Sequence, residues 1–204
     1  MTGVQTCALP IFGQDAGRFL GSVAYHFTRT DALTIGGAAA DDEGVIPKGE
    51  AFFEYSHGWR IERQGFVRGV EAGHHQHWFW FRQARILALT PSVVLYLPRD
   101  WSWSLAVTTA RSHFPATVAE WRPSGSTRLN FPLARRLSGH VFFAVGTENF
   151  AQTDQIGRFS ARTYGGGLRF QITSRQEVSG YVFYQDRSQG RTQTGFGFSY
   201  ALRF

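Results

Sequence analysis

The stretch Thr194–Phe204, TGFGFSYALRF, decides the fold that we expect for this chain. Its aromatic and aliphatic residues stand at every second position, and the positions between them hold glycine, serine, alanine and arginine. Alternation with a period of two indicates a β-strand with one apolar face. A barrel strand that spans a membrane needs this pattern over about 9 to 11 residues, because lipid-facing and lumen-facing side chains alternate along it.

The terminal aromatic residue resembles the C-terminal signal by which Gram-negative outer-membrane proteins are recognised for assembly. We therefore expect the apolar face of this strand to act as an assembly signal and the barrel assembly machinery to be a partner. The residues of that face are Phe196, Phe198, Tyr200, Leu202 and Phe204.

Upstream segments repeat the alternation. Trp101 and Trp103 begin one such segment, where an aromatic belt at the lipid interface would lie. In residues 65–77 and 178–185 both faces carry charged or aromatic residues, so the pattern does not assign a lipid face there. Pro91 falls inside an otherwise strand-like segment and predicts a bulge.

The connections between these segments alternate between short and long. Short turns are expected at 29–31, 60–64, 98–100, 132–138 and 173–176, and longer loops at 41–50, 76–84, 112–124, 148–157 and 186–191. Outer-membrane barrels have this asymmetry, and bacterial single-chain barrels have even strand numbers. We predict an all-β, antiparallel, transmembrane up-and-down barrel of 12 strands, of which about 11 are present.

Composition excludes several other classes. The chain has 204 residues, of which 43% are hydrophobic and 18% charged, which is too apolar for a disordered protein. No uninterrupted apolar run reaches the length of about 18 residues that a transmembrane helix needs. The net charge of +6 comes mainly from arginines scattered through strands and turns, so we expect no nucleic-acid partner.

The opening residues 1–11, MTGVQTCALPI, differ in composition from the rest and contain the only cysteine and the only methionine. Reverse-translated, they resemble read-through of a common sequencing adapter. We therefore expect residues 1–11 to be a non-native segment and residues 12–204 to be the barrel domain, without its first strand. A real N-terminus with a functional thiol at Cys7 is the alternative.

Three stretches resemble the YaiO family of outer-membrane β-barrel proteins: Leu89–Leu105, Val141–Thr173 and Tyr181–Phe204. The resemblance covers most of the chain after about residue 50. It implies an integral barrel in the outer membrane of a Gram-negative bacterium, and it carries no catalytic signature. Some family members have tetratricopeptide repeats upstream, so a periplasmic or upstream repeat domain is an expected partner.

Six residues are candidates for the lumen or its rim: three arginines have the parity opposite to that of the apolar faces, two histidines lie in the GHHQHWFW segment, and one nearby glutamate has the same parity as these histidines. They are Arg128, Arg169, Arg203, Glu71, His75 and His77. Arginines in a lumen favour anions, and extracellular arginines could bridge phosphates of lipopolysaccharide, an expected lipid partner.

Metal and catalytic sites are the competing interpretations of these side chains. His75 and His77 would lie about 7 Å apart on one strand face, but two nitrogens do not make a zinc site, so we expect no metal and no cofactor. The sequence contains the residue types of a nucleophilic triad in His140, Ser138 and Glu148, but no G-x-S-x-G motif is present. In the strand-like YGGGLRF run, Gly165–Gly167 indicate curvature or the close approach of another side chain.

Together these observations favour a non-enzymatic outer-membrane barrel that serves as a narrow pore or as an envelope scaffold or assembly component. The alternative is an outer-membrane enzyme that acts on lipid or polysaccharide at the extracellular rim, with polar groups converging near 74–77 or 148–158. A soluble β-sandwich or lipocalin-like barrel is a third hypothesis, and it requires Phe196, Phe198 and Tyr200 to be buried.

Overall fold

The computed structural model of the chain is a single antiparallel sheet of twelve strands. It describes residues 2–11, 14–41, 46–61, 65–114, 119–148, 159–188 and 192–202, and the side chains in this account are those of residues 18–146 and 160–202 within these ranges. No helix among the described residues is long and apolar enough to cross a membrane.

The strands follow one another in the sheet in the order of the sequence, and each pairs with its chain neighbours in antiparallel fashion. Their bounds are β1 Thr2–Ile11, β2 Gln14–His26, β3 Asp31–Ala40, β4 Gly49–Arg60, β5 Gly69–Trp80, β6 Arg85–Tyr96, β7 Ser102–His113, β8 Glu120–Ala134, β9 Leu137–Glu148, β10 Phe159–Gln171, β11 Gln176–Arg187 and β12 Thr192–Leu202. A short 3₁₀ turn, Pro98–Asp100, joins β6 to β7. This is the predicted up-and-down barrel, and residues 12–204 supply eleven of its strands, as expected.

Residues 2–11 form β1, which pairs with β2 along its full length, from Thr2 opposite Val23 to Ile11 opposite Gln14. They therefore occupy the place of the first strand that we expected to be missing. The origin of this segment in an adapter remains a prediction.

The apolar face of β12 lies on the outside of the sheet. Phe196 and Phe198 are 77% and 80% exposed, and Tyr200 and Leu202 on the same face are also exposed. A soluble barrel would bury these rings in its core, so the lipocalin-like hypothesis was wrong. Phe204, the last residue of the predicted signal, lies outside the described residues, and the signal itself remains a prediction.

The strand register shows which residues of the neighbouring strands share this outer face, because directly opposite residues lie on the same face of a sheet. Phe198 lies opposite Gly180, Gly180 opposite Leu168, and Leu168 opposite Gly139. Exposed apolar residues on this face include Phe19, Val23, Tyr25, Ile35, Leu105, Val107, Val141, Val145, Leu168 and Phe170. The barrel thus has an apolar outer wall, and its other face is the inner wall.

Pro91 does not produce a bulge, so that prediction was wrong. The pairs on either side of it, Leu89 with Thr109 and Ser92 with Ala106, keep one register, and the ladder to β5 runs through Pro91 without a break. Proline lacks only the N–H that would point to one neighbour, and the surrounding pairs hold the strand in place. The register shifts instead in β8, between Pro132 and Ala134.

Several connection lengths differ from the prediction, including both connections of β5. β5 continues to Trp80, so the long loop expected at 76–84 is the tight connection 81–84, closed by the Phe81 N–H donating to the Ala84 carbonyl at 2.8 Å. The turn expected at 60–64 is the longer connection 61–68. Both errors arise because GHHQHWFW belongs to a strand whose two faces are both mixed in polarity.

Candidate functional site

The inner wall collects most of the lumen candidates. We call a row of directly opposite residues across neighbouring strands a rung, and rungs that face inward alternate with the apolar rungs that face outward. The register places Glu71, His75 and His77 of β5 on the inner wall. Arg128 of β8 and Arg169 of β10 also lie on this wall. Arg203 lies outside the described residues. Five of the six candidates therefore share one face, although they come from three strands.

β4 and β5 give the inner wall an acidic sector, which we define as Glu50, Glu54 and Glu71. Glu50 is only 7% exposed. Its Oε1 lies 2.7 Å from Nη2 of Arg18 on β2, and its Oε2 lies 3.0 Å from Nε2 of His77. A buried carboxylate is costly unless both of its oxygens have partners, and here one cation and one imidazole supply them.

The other two carboxylates of the acidic sector lie nearer the end of the barrel that carries the 27–30 and 97–101 turns. Glu71 accepts a hydrogen bond of 2.6 Å from the Tyr96 hydroxyl. Glu54 lies directly opposite His75 in the β4–β5 ladder. Glu50 was not among the predicted site residues, since GEAFFEYSHGWR carries aromatic residues on both faces of β4 and its pattern does not indicate which face is the inner one.

His75 and His77 pack against aromatic side chains. The His77 ring stacks on Phe79 with centroids 3.8 Å apart, and Phe52 lies 5.5 Å from His77 and 6.0 Å from His75. Within the described ranges, no three His, Cys, Asp or Glu side chains are grouped so that they could hold a metal ion. His77 is also hydrogen-bonded through Nε2 to Oε2 of Glu50 at 3.0 Å.

β8, β10 and β11 give the inner wall a basic sector, which we define as Arg122, Arg128, Arg169 and Arg187. The Arg128 Nε–H donates to Oδ1 of Asn130 at 2.9 Å, and Asn130 in turn donates to Ser102 at 3.1 Å. Nη2 of Arg169 lies 2.5 Å from Oε2 of Glu177. These bonds hold the guanidinium groups against the wall.

The two sectors lie on different parts of the sheet. In the sheet, β4 and β5 lie six strands away from β10 and β11, a separation that corresponds to opposite sides of a closed twelve-stranded barrel. The acidic sector belongs to the first pair, and Arg169 and Arg187 of the basic sector belong to the second. Separated walls of opposite charge create an electric field across the space between them.

The enzyme hypothesis required polar groups to converge near residues 74–77 or 148–158. His77 and Glu50 do converge, as a base and an orienting acid would, but no side-chain hydroxyl among the described residues is hydrogen-bonded to His77. Ser138 and His140 both lie on the inner wall of β9. The side chain of Glu148 and residues 149–158 lie outside the described part.

Aromatic residues collect on the outer wall near both ends of the strands. Trp101 and Trp103, the predicted interface residues, are exposed at the end with the 97–101 turn. Trp101 lies 5.4 Å from the Phe131 ring, and the Trp103 Nε1–H donates to Thr127 Oγ1 at 2.7 Å. At the opposite end Trp80 and other rings are exposed, so two aromatic belts border the apolar wall. The rings of that second belt include Trp80, Trp121, Tyr164 and Tyr184.

Several solved structures share this fold. The KdgM porin in complex with disordered oligogalacturonate superposes with a TM-score of 0.59 at 9% sequence identity, over 93% of each chain. The NanC porin superposes with a TM-score of 0.60 at 8% identity, over 93% of this chain and 94% of that one. OccAB2 of Acinetobacter baumannii matches with a TM-score of 0.55 at 10% identity, over 97% of this chain and 58% of its own.

At these identities the likeness establishes the fold, which is that of an outer-membrane β-barrel of the porin type. No protein-family model matches the sequence, and no curated protein matches it. The resemblance to the YaiO family therefore remains a prediction.

Proposed function

We propose that this protein is a non-enzymatic channel in the outer membrane of a Gram-negative bacterium, through which small hydrophilic solutes pass. The observation that carries the proposal is the pair of oppositely charged sectors on the inner wall of a barrel whose outer wall is apolar. The porin fold supports the same function, because barrels of this size have room for a lumen.

The outer wall supports the location. Exposed apolar surface on this scale is unfavourable in water, since each square ångström exposed costs about 25 cal/mol, and it is stable against lipid. The aromatic belts at Trp101–Trp103 and at Trp80 match the two interfaces of a bilayer. In this location the extracellular arginines would bind lipopolysaccharide, and the C-terminal signal would bind the assembly machinery.

The charged sectors determine which solutes would pass. A solute between Glu54 and Glu71 on one side and Arg169 and Arg187 on the other experiences a transverse field, which orients dipolar and charged molecules. Apolar solutes gain nothing from this field and must displace ordered water from both walls. The channel therefore favours polar and charged solutes over apolar ones of equal size.

Two measurements on the purified chain test the proposal. Folding into liposomes should give heat-modifiable mobility on a gel, the signature of a stable transmembrane barrel. Insertion into a planar bilayer should then give discrete conductance steps. Folded barrel without conductance above background would contradict the channel and favour the envelope scaffold, whereas a monodisperse, detergent-free soluble protein would contradict the membrane location.

A matched pair of arginine substitutions on β10 tests the role of the inner wall. Arg169→Gln removes a charge from the basic sector and should shift the reversal potential in a salt gradient toward cation selectivity. Arg162 lies on the same strand with the opposite parity, so Arg162→Gln on the outer wall should leave the reversal potential unchanged. Equal shifts for both variants would contradict a selectivity role for the inner wall.

A further inference from the structure

The inner wall of β9–β12 carries two adjacent rungs in which aromatic residues alternate with glycine. In the first rung Phe142 is opposite Gly165, Gly165 is opposite Phe183, and Phe183 is opposite Gly195. The second rung has the same order, with His140, Gly167, Tyr181 and Gly197. Because all these positions share one face, the two rungs form a continuous patch, which we term the aromatic platform.

Each ring of the platform leans across the wall onto a glycine of the next strand. The Phe183 ring occupies the space that a Cβ at Gly195 would need, and Phe142 does the same at Gly165. Tyr181 lies over Gly197, where a Cβ would be 2.5 Å from its Cε1. The glycines are therefore what lets the rings lie along the wall, in agreement with the close approach that the sequence predicted for Gly165–Gly167.

The rings of each strand are parallel. Tyr181 and Phe183 have an interplanar angle of 19° and centroids 6.4 Å apart, and His140 and Phe142 have 26° and 6.3 Å. Tyr181 is 50% exposed although its rung faces inward. An apolar patch of parallel rings facing a polar lumen gains free energy when an apolar face of a solute covers it.

Polar side chains border the platform on the same wall. Arg128 is opposite Phe142, and Asn130 is opposite His140, so a cation and an amide flank the two rungs on the β8 side. Arg169 and Ser179, which are opposite each other, occupy the rung after that of Tyr181. Such groups hydrogen-bond hydroxyls and carboxylates, and a guanidinium binds a carboxylate with both of its oxygens.

We infer that the aromatic platform is a binding site for a saccharide chain that carries carboxylate groups. Pyranose rings combine a face of C–H groups, which packs on the negative face of an aromatic ring, with a rim of hydroxyls that needs donors and acceptors. The platform offers both within one patch, and Arg128 supplies the partner for a carboxylate. This inference rests on the proposed channel, whose lumen gives the saccharide access.

The rings could instead have a purely structural role, in which they only cover the glycines of the sheet. The two roles predict different effects of substitution on saccharide affinity. Phe183→Leu keeps an apolar side chain over Gly195 but removes the aromatic face. A structural cover would survive this change, whereas a saccharide platform would lose affinity. The loss should be about three- to tenfold in Kd, which corresponds to the usual contribution of one aromatic contact.

The experiment measures binding of a linear uronic-acid hexamer and of a linear glucose hexamer to the refolded barrel by calorimetry in detergent micelles. The uronic-acid hexamer should bind, and Phe183→Leu and Phe142→Leu should each weaken it while gel mobility still reports a folded barrel. Arg128→Gln should reduce the preference for the uronic-acid hexamer over the glucose hexamer about tenfold.

Outward neighbours on the same strands provide controls. Phe143 and Tyr184 are adjacent in sequence to Phe142 and Phe183 but lie on the outer wall, so Phe143→Leu and Tyr184→Leu should leave Kd unchanged. No binding of either hexamer to the folded wild-type barrel would overturn the inference, and so would equal losses in inner and outer variants.

Bilayer recordings separate this inference from the channel itself. If the barrel conducts ions but the uronic-acid hexamer neither binds nor interrupts the current, the channel stands and the saccharide site is wrong. If the hexamer binds in micelles but the barrel shows no conductance, the site stands as a surface for carbohydrate and the channel is wrong.

Discussion

The carboxylate of Glu50 and the imidazole of His77 meet across the β4–β5 ladder, with Oε2 and Nε2 3.0 Å apart. They belong to adjacent rungs, since Glu50 is opposite Phe79 and His77 is opposite Phe52. The contact is therefore diagonal, and the neighbouring stack of His77 on Phe79 sets the direction of the imidazole. These contacts hold the side chains of Glu50, His77 and Phe79 in place on the inner wall of β4 and β5.

Replacing Glu50 by alanine should destabilise the barrel by about 1–3 kcal/mol, because Arg18 and His77 lose the acceptor that they share. The measurement is the urea midpoint of the heat-modifiable gel shift in lipid vesicles. Glu177→Ala is the control, since its partner Arg169 is half-exposed and stays hydrated, and the loss should cost less than about 1 kcal/mol. Equal midpoints for the two variants would contradict the assignment.

Replacing Gly36 by alanine should destabilise the barrel by about 1–3 kcal/mol, because its Cβ would overlap the Phe52 ring and approach the Gly21 carbonyl oxygen to 2.7 Å. Gly125→Ala is the matched control, since the nearest atom to its Cβ is 3.9 Å away, and that change should be nearly neutral. Unfolding in urea measures both variants. The explanation fails if Gly125→Ala is as damaging as Gly36→Ala.

The hydrogen bond from Trp103 to Thr127 should stabilise the outer wall by about 0.5–1.5 kcal/mol, as polar contacts in membranes do. A double-mutant cycle with Trp103→Phe and Thr127→Val isolates this coupling free energy from the loss of aromatic surface. Urea unfolding in vesicles provides the four stabilities. A coupling indistinguishable from zero would show that the two side chains act independently.

An arginine at Phe198 should cost about 2–4 kcal/mol, because this outward position lies near the middle of β12 and so near the bilayer midplane. Ser199→Arg places the same charge one residue away on the inner wall, where it loses the hydrogen bond to Ser179 but stays hydrated. That variant should cost about 1 kcal/mol or less. Refolding yield and urea midpoint in vesicles compare them, and the reverse order of stabilities would mean that the two walls had been exchanged.

Much of this barrel follows from the sequence, because a period-two pattern depends only on which side each residue faces. The alternation in Thr194–Phe204 and its repeats determined strands, their number and the outer face, and the parity of Arg128 and Arg169 placed them on the inner wall. Where both parities carry aromatic residues, as in 178–185, the pattern carries no such information.

Tertiary structure decided the rest, since it depends on which residues become neighbours across strands. The register of β11 with β12 places Tyr181 and Phe183 on the inner wall opposite glycines that leave space for their rings, a fact that β11 by itself does not contain. Glu50 finds Arg18 and His77 only through the register of β4 with β5 and the curvature of the wall. The sequence determined the faces of the strands through local periodicity, and long-range pairing determined the charged sectors and the aromatic platform.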